Sequence, residues 1–328
     1  MTGLRFRSED AETAEAIMLE PILAALSEHG LAIDSRHGRR PFWVLARTPA
    51  WALGPRTAGA RLGTVLIAPT ADDVMQVRQS WPKTPVLIAE SFDPNLRQLF
   101  SSSTISLPRI TPASFYPLSS QEADVFGATA RLHLHERPRL VYLGGYYDGA
   151  ALTRLFGLAK HLLSRQGELV LMHGLERRAS LAPAIQHLRL SERAIFAPPL
   201  STSEAAGVLL GADAILAASR MDGRTRVLGS WAVASGIPIV AEDSPHNRAL
   251  FGPAALFVYA SSEQKWTDAV TQALTSRALR EELARRQFQA TEAWHMEVAM
   301  SAWIDHLLAG YGSQNPDNRL PAGWAGLE

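Results

Sequence analysis

Arg139-Leu-Val-Tyr-Leu-Gly-Gly-Tyr-Tyr-Asp-Gly149 opens the stretch, running to Tyr259, whose reading decides the fold. Leu140–Leu143 is an apolar run of strand length. The glycines after it mark a tight turn, and the next segment, Ala150 to Arg165, repeats apolar residues at Leu152, Leu155, Phe156, Ala159, Leu162 and Leu163, one face of a helix. The pattern then recurs. Strands are predicted at 169–172, 194–197, 214–217, 237–241 and 256–259. Helices are predicted at 182–188, from Ser201 to Leu210, and from Thr225 to Ala234. Ser201 and Glu204 form a capping-box pair, and Gly236 stops the last of these helices. Short apolar runs without alternation, each followed by a helix, imply a parallel sheet buried on both faces.

Working outward, the first third reads the same way, less regularly. Strands are predicted at residues 3–7, 42–46, 64–68, 85–89 and 104–108, with helices from Ser8 to about His29 and from Asp72 to Trp81. Arg109 to Pro117 carries Pro112 and Pro117 and reads as a linker. The expected division is therefore 1–117, 118–294 and a C-terminal helix with tail at 295–328. The fold class is α/β: two Rossmann-like, doubly wound domains facing a cleft, the first one shortened.

Composition limits the function. The chain has 328 residues, 47% hydrophobic and 20% charged, the balance of a globular protein large enough for two cores. Its formal net charge is zero, which argues against nucleic acid as the main ligand. It has no cysteine, which excludes disulfides, thiol nucleophiles and cysteine-held metal sites. No apolar run reaches the roughly 18–20 residues of a membrane helix, and the polar N-terminus lacks a signal-peptide core, so the expectation is a cytoplasmic protein. The basic clusters Arg36/Arg39/Arg40 and Arg277/Arg280/Arg285/Arg286 read as solvated faces, with peripheral contact at the inner membrane face as the alternative. No HExxH, DxD or histidine cluster implies a metal.

The order of features over 104–295 resembles the GT-B glycosyltransferases of the large retaining family 4. The matching features are a linker ending Phe115-x-Pro117, a strand running into Gly144-Gly145 and a strand ending Met172-His173-Gly174. They continue with a capped helix at Ser201, the run Ala212-Asp213-Ala214 into Ala218-Ser219, and Ala-Ser-Gly-Ile-Pro-Ile-Val-Ala-Glu-Asp ending at Asp243. The resemblance implies a sugar moved from a UDP- or GDP-linked donor to a glycan, lipid-linked or protein hydroxyl, with no cofactor beyond the nucleotide-sugar. A homodimer or a glycosyltransferase partner subunit is compatible with it.

The residues depart from that family's pattern in places. The cationic positions that meet the donor diphosphate hold Gly145 and, approximately, Asp148. Of the two acidic positions, the second falls on Trp231 and the first on Asp222, with eight residues between them rather than seven. Trp231 reads as a packed helix residue or as a base-stacking platform. Arg220, Arg224 and Arg226 gather at the same loop and helix start. They are candidates to hold the diphosphate, because guanidinium recognises phosphate bidentately. Gly144, Gly145, Tyr146 and Gly174 complete the expected donor side, with Asp243 and His246 as contacts to donor hydroxyls; helix capping by Ser244 or Asp243 is the plainer reading of that segment. Glu90, just past a first-domain strand, is the candidate general base for the acceptor, and Asp222 the second catalytic acid. The alternative is a non-catalytic GT-B-like binding module or partner subunit.

Overall fold

The computed structural model describes residues 5–8, 32–33, 42–46, 61–67, 71–80, 86–89, 104–106, 109, 111–112, 115, 125–144, 149–163, 166–172, 178–219, 221, 223–259, 262–295, 299 and 303. The chain divides into two compact units: Met1–Ile110 together with Ala293–Glu328, and Thr111–Glu292.

The first unit carries a six-stranded sheet in the order β2-β1-β3-β4-β5-β6, built from β1 (Arg5–Ser8), β2 (Ala32–Ile33), β3 (Phe42–Ala46), β4 (Arg61–Ile67), β5 (Val86–Ala89) and β6 (Thr104–Ser106). All its pairings are parallel. Helix α1 (Ala71–Ser80) joins β4 to β5 and buries Val74 and Val77, three residues apart on one face. Ser8, the expected start of a helix to about His29, ends β1; the rest of that expected helix and the cluster Arg36/Arg39/Arg40 lie outside the described residues. Near the other end of this unit Ala299 and Trp303, four apart, are both buried.

The second unit starts with the linker and α2 (Val125–Arg131). Its sheet runs β12-β11-β10-β7-β8-β9, again parallel throughout. The strands are β7 (Arg139–Leu143), β8 (Glu168–Leu171), β9 (Ala194–Phe196), β10 (Ala214–Ala217), β11 (Ile239–Glu242) and β12 (Ala255–Val258). The helices between and after them are α3 (Gly149–Leu162), α4 (Arg178–His187), α5 (Thr202–Leu210), α6 (Gly223–Val233), α7 (Pro245–Phe251), α8 (Glu263–Thr275) and α9 (Arg277–Thr291). Counted within this unit, the strand order is 3-2-1-4-5-6, the doubly wound order of dinucleotide-binding sheets.

The sheet has two buried faces, as the unalternating runs require. Leu140, Tyr142, Leu169, Leu171, Leu216 and Val240 point to one side, where Leu152, Leu155, Phe156 and Ala159 of α3 and Leu163 just past its end meet them with Val270 and Ala273 of α8. Val141, Leu143, Ile215, Ala217 and Ile239 are equally buried and alternate with the first set, on the opposite face. Truncating a ring such as Phe156 in this layer costs about 3–5 kcal/mol. Ser201 caps α5 and its box is complete: Glu204 N donates to Ser201 Oγ at 3.2 Å, and Ser201 N donates to Glu204 Oε2 at 2.8 Å. Helix α4 begins at Arg178, earlier than the expected Ala182, because Pro183 is carried inside the helix rather than at its start.

The basic cluster on α9 is partly paired: its four arginines share two glutamates and a helix-end carbonyl. Arg277 bonds Glu281 at 2.6 Å, Arg286 bonds Glu282 at 2.7 Å, Arg285 also pairs with Glu282, and Arg280 donates to Leu274 O at the end of α8 at 2.7 Å. This is the solvated face that the sequence suggested. Among the described residues, no helix is long and apolar enough to cross a membrane.

Candidate functional site

In the second sheet β7 and β10 are neighbours, but their connections leave in opposite directions: β7 leads through α3 to β8, and β10 leads through α6 to β11. This is the topological switch point. The carboxyl ends of the strands at such a point are the usual ligand position in open α/β sheets. β7 is followed there by α3 and β10 by α6, each a helix of more than two turns. Unpaired backbone N–H groups and the helix dipole make the N-termini of such helices favourable to phosphate.

Gly144 is fixed by space. A Cβ there would stand 2.4 Å from the Tyr142 ring and hydroxyl and 2.8 Å from the Ala218 Cβ. The β7 and β10 turns thus approach each other more closely than any side chain permits. Ala218 N donates to Leu143 O at 3.0 Å, continuing the ladder to the last residue before the turn.

The β10 turn is held from the β11 side. Asn247, fully buried in the first turn of α7, donates its Nδ2 hydrogens to Ala218 O at 3.1 Å and Glu242 O at 2.7 Å. The Glu242 carboxylate accepts from Ser219 N at 3.3 Å. Ser244 caps α7, accepting from Asn247 N at 3.1 Å, so the plainer reading of that segment holds for Ser244. Beneath the turns, Tyr142, Leu155, Leu216, Ala218, Glu242 and Trp266 line a recess of about 30 Å³, too small for any organic ligand.

The expected site residues fall as follows. Gly144, Arg226 and the backbone of Arg224 lie at the switch point, the two arginines in the first turn of α6. Arg226 is half-buried. Asp243 follows β11, next to the switch point, and both of its carboxylate oxygens are taken by Arg248, at 2.6 and 2.9 Å. That guanidinium, by its hydrogen bond first and its charge after, holds the Asp243 carboxyl below the usual carboxylate range. His246 is exposed on α7. Gly145, Tyr146, Gly174, Arg220 and Asp222 lie outside the described residues, as does Glu90. Glu90 follows β5, which is parallel and lies between β4 and β6. Trp231 is buried against Phe115 of the linker, ring centroids 5.0 Å apart at 53°. The packed reading of Trp231 is the one the structure bears out.

Asn247 and Glu242 were not picked out as site residues. A signal existed for the first. Asparagine is a poor helix former, and one placed just after a Ser-Pro helix start, facing Leu250 and Phe251, needs partners of its own. Away from the switch point, a more open hollow of about 420 Å³ runs along the edge strand β9, lined by Arg131, His133, Arg178, Gln186 and Phe196 among others. Among the described residues, no group of three histidine or carboxylate side chains gathers to hold a metal.

No protein-family model and no curated protein matches the chain. Solved structures do. A glycosyltransferase from Rickettsia africae superposes with a TM-score of 0.63 at 9% identity, over 95% of this chain and 99% of the other. Anabaena HepE in complex with UDP and glucose gives 0.61 at 12% identity, over 94% and 100%. Sucrose-phosphate synthase from Thermosynechococcus elongatus gives 0.54 at 15% identity, over 89% and 72%. At such identities the likeness is one of fold, and the fold is that of the GT-B glycosyltransferases.

Proposed function

We propose that the chain is a glycosyltransferase that moves a sugar from a nucleotide-sugar donor to a hydroxyl acceptor. The donor diphosphate sits at the switch point of the second sheet, over the Gly144 turn and against the first turn of α6. The observation that carries this reading is the full-length match to HepE, whose structure holds UDP and glucose. In support, Gly144 lets the end of β7 pack directly against Ala218 at the switch point, and Arg220, Arg224 and Arg226 fall in the sequence just before and within the first turn of α6, where a helix N-terminus favours phosphate. These arginines replace the charge that Gly145 and Asp148 do not supply. As the glycosidic bond breaks, negative charge develops on the leaving diphosphate. Guanidinium groups and the helix dipole stabilise it there without a metal. Asp222 acts beside the donor sugar, and Glu90, from the first unit, orients and deprotonates the acceptor hydroxyl.

Thermal unfolding in UDP, GDP and their sugar conjugates tests the reading. A ligand bound a thousandfold above its Kd adds about 4 kcal/mol to stability and raises the Tm clearly. If no nucleotide moves the Tm, the donor site is wrongly assigned. Where one does, Arg224→Ala should weaken it by about 1.5–3 kcal/mol, the worth of a charge-assisted hydrogen bond. Release of free nucleotide from the conjugate in the presence of acceptors then separates a transferase from a binding module.

A further inference from the structure

The second sheet contains two buried amides that do the same thing at opposite ends. Gln287, on α9, donates its Nε2 hydrogens to Ile237 O at 2.9 Å and Ala254 O at 3.1 Å, just before β11 and β12 begin. Asn247 donates to Ala218 O and Glu242 O, where β10 and β11 end. Both side chains are fully buried, and each leaves its own oxygen without a hydrogen bond. The flipped amide would turn that oxygen onto two carbonyls, so the orientation is set by the pair of acceptors. An apolar side chain would fill either space without a buried, unpaired acceptor. What the amide supplies is therefore the two bonds, each tying one chain segment to another.

The segments tied differ in kind. Gln287 joins strand starts away from the switch point. Asn247 holds Ala218, whose Cβ lies against Gly144 and whose successor Ser219 is held by Glu242. Ala218 directly follows β10, and the sequence from Ser219 through Arg220 and Asp222 leads to the start of α6 at Gly223. We propose that Asn247 is a positioning residue for the donor diphosphate. It does not touch the ligand; it locks the β10–α6 turn in register with the end of β11 and so fixes where the arginines and the α6 N-terminus stand. This rests on the donor-site reading above.

The matched amide provides the control. Asn247→Ala and Gln287→Ala each remove two bonds to buried carbonyls, so both should lower the Tm. Well below either Tm, UDP and GDP affinities are measured by calorimetry, and backbone hydrogen exchange is followed peptide by peptide. The expected result for Asn247→Ala is a nucleotide Kd weaker by about tenfold or more, because displaced cations lose their geometry, with faster exchange concentrated in 219–226. Gln287→Ala should leave the Kd unchanged and speed exchange around 237–239 and 254–256. Asn247→Asp, isosteric but placing a carboxylate against two carbonyls, serves if the alanine variant does not fold, and the same split is expected of it.

Equal Kd for the two variants, or no excess exchange at 219–226 in the Asn247 variants, overturns the proposal. If the unaltered chain binds neither nucleotide, the donor-site reading falls and with it the ligand half of this one. The exchange data still decide whether Asn247 locks the turn.

Discussion

The two ends of the second sheet are built from the same strands and solve opposite problems. At the amino ends, charge is buried and fully matched. Arg139 and Glu168, the first residues of β7 and β8, are each about 5% exposed and pair at 3.3 Å. The Glu168 carboxylate also accepts from His135 N and Glu136 N, Arg139 donates to Gly211 O, and Asp213 accepts from Arg139 N. Gly167, at φ 112°, fits there because a Cβ would meet Pro138 O at 2.7 Å. At the carboxyl ends, the buried Gly144 lets β7 and β10 segments close on each other instead, and the buried amide of Asn247 holds backbone carbonyls rather than pairing charge. The first end closes a core with paired charge; the second is where the donor is proposed to bind. Charge at the first end should therefore govern stability, and geometry at the second should govern binding.

The sharpest way to break this comparison is Arg139→Ala. It leaves the Glu168 carboxylate buried without its cation, which costs about 3–5 kcal/mol. Urea unfolding should show that loss while the folded fraction binds UDP as before; a weakened Kd would show that the two ends are not separable. Gly144→Ala comes next. The added methyl must push aside the buried Tyr142 ring and Ala218, an overpacking worth about 1–3 kcal/mol. Unlike Arg139→Ala, it should also weaken nucleotide binding, because it moves the turn itself.

Ser201→Ala should cost about 1 kcal/mol by removing the cap of α5. Burial pushes the neighbouring Glu204 carboxyl up, but hydrogen bonds from Arg131 and Ser201 outweigh it and hold the group below its usual range. A carboxyl depressed in the folded state stabilises above its ordinary pKa, and that contribution is lost as pH falls through the folded value. The variant should therefore lose less stability on acidification than the parent, which unfolding at neutral and acid pH will read.

Much of this architecture was legible in the sequence, for local reasons. Phe42–Ala46 and Ala214–Ala217 are strands at the bounds their apolar runs suggest, and Ser201/Glu204 is the capping box its spacing predicts. Those signals lie within a few residues of one another. The strand order does not, because it depends on which run pairs with which. The switch point between β7 and β10, some seventy residues apart, becomes visible once that pairing is known. The same holds for the site. Gly144 announces itself as a turn glycine, yet the space that requires glycine is closed by Tyr142 and by Ala218, far away in sequence. Asn247 bonds a carbonyl 29 residues upstream, and Trp231, standing where the resemblance implies an acid, packs on a linker phenylalanine far away in sequence.

The smallest expected effect tests the comparison from its weak side. Arg248 and Asp243 form a two-bond ion pair at the carboxyl end, the geometric counterpart of Arg139 and Glu168, and Arg248 also lies over the Phe257 ring at 4.8 Å. But the Arg248 side chain is 59% exposed, so water competes for both partners and salt screens them. Arg248→Ala should leave the Tm within error of the parent. What should move is the Asp243 titration. With the guanidinium gone, its carboxyl should rise toward the usual range, which carboxyl NMR shifts followed through acid pH would show. The pair's small contribution, present at neutral pH and lost as pH falls through the folded value, should vanish in high salt. A loss of stability as large as that of Arg139→Ala would mean that burial is not what separates the two ends, and the division between a closing end and a binding end would have to be given up.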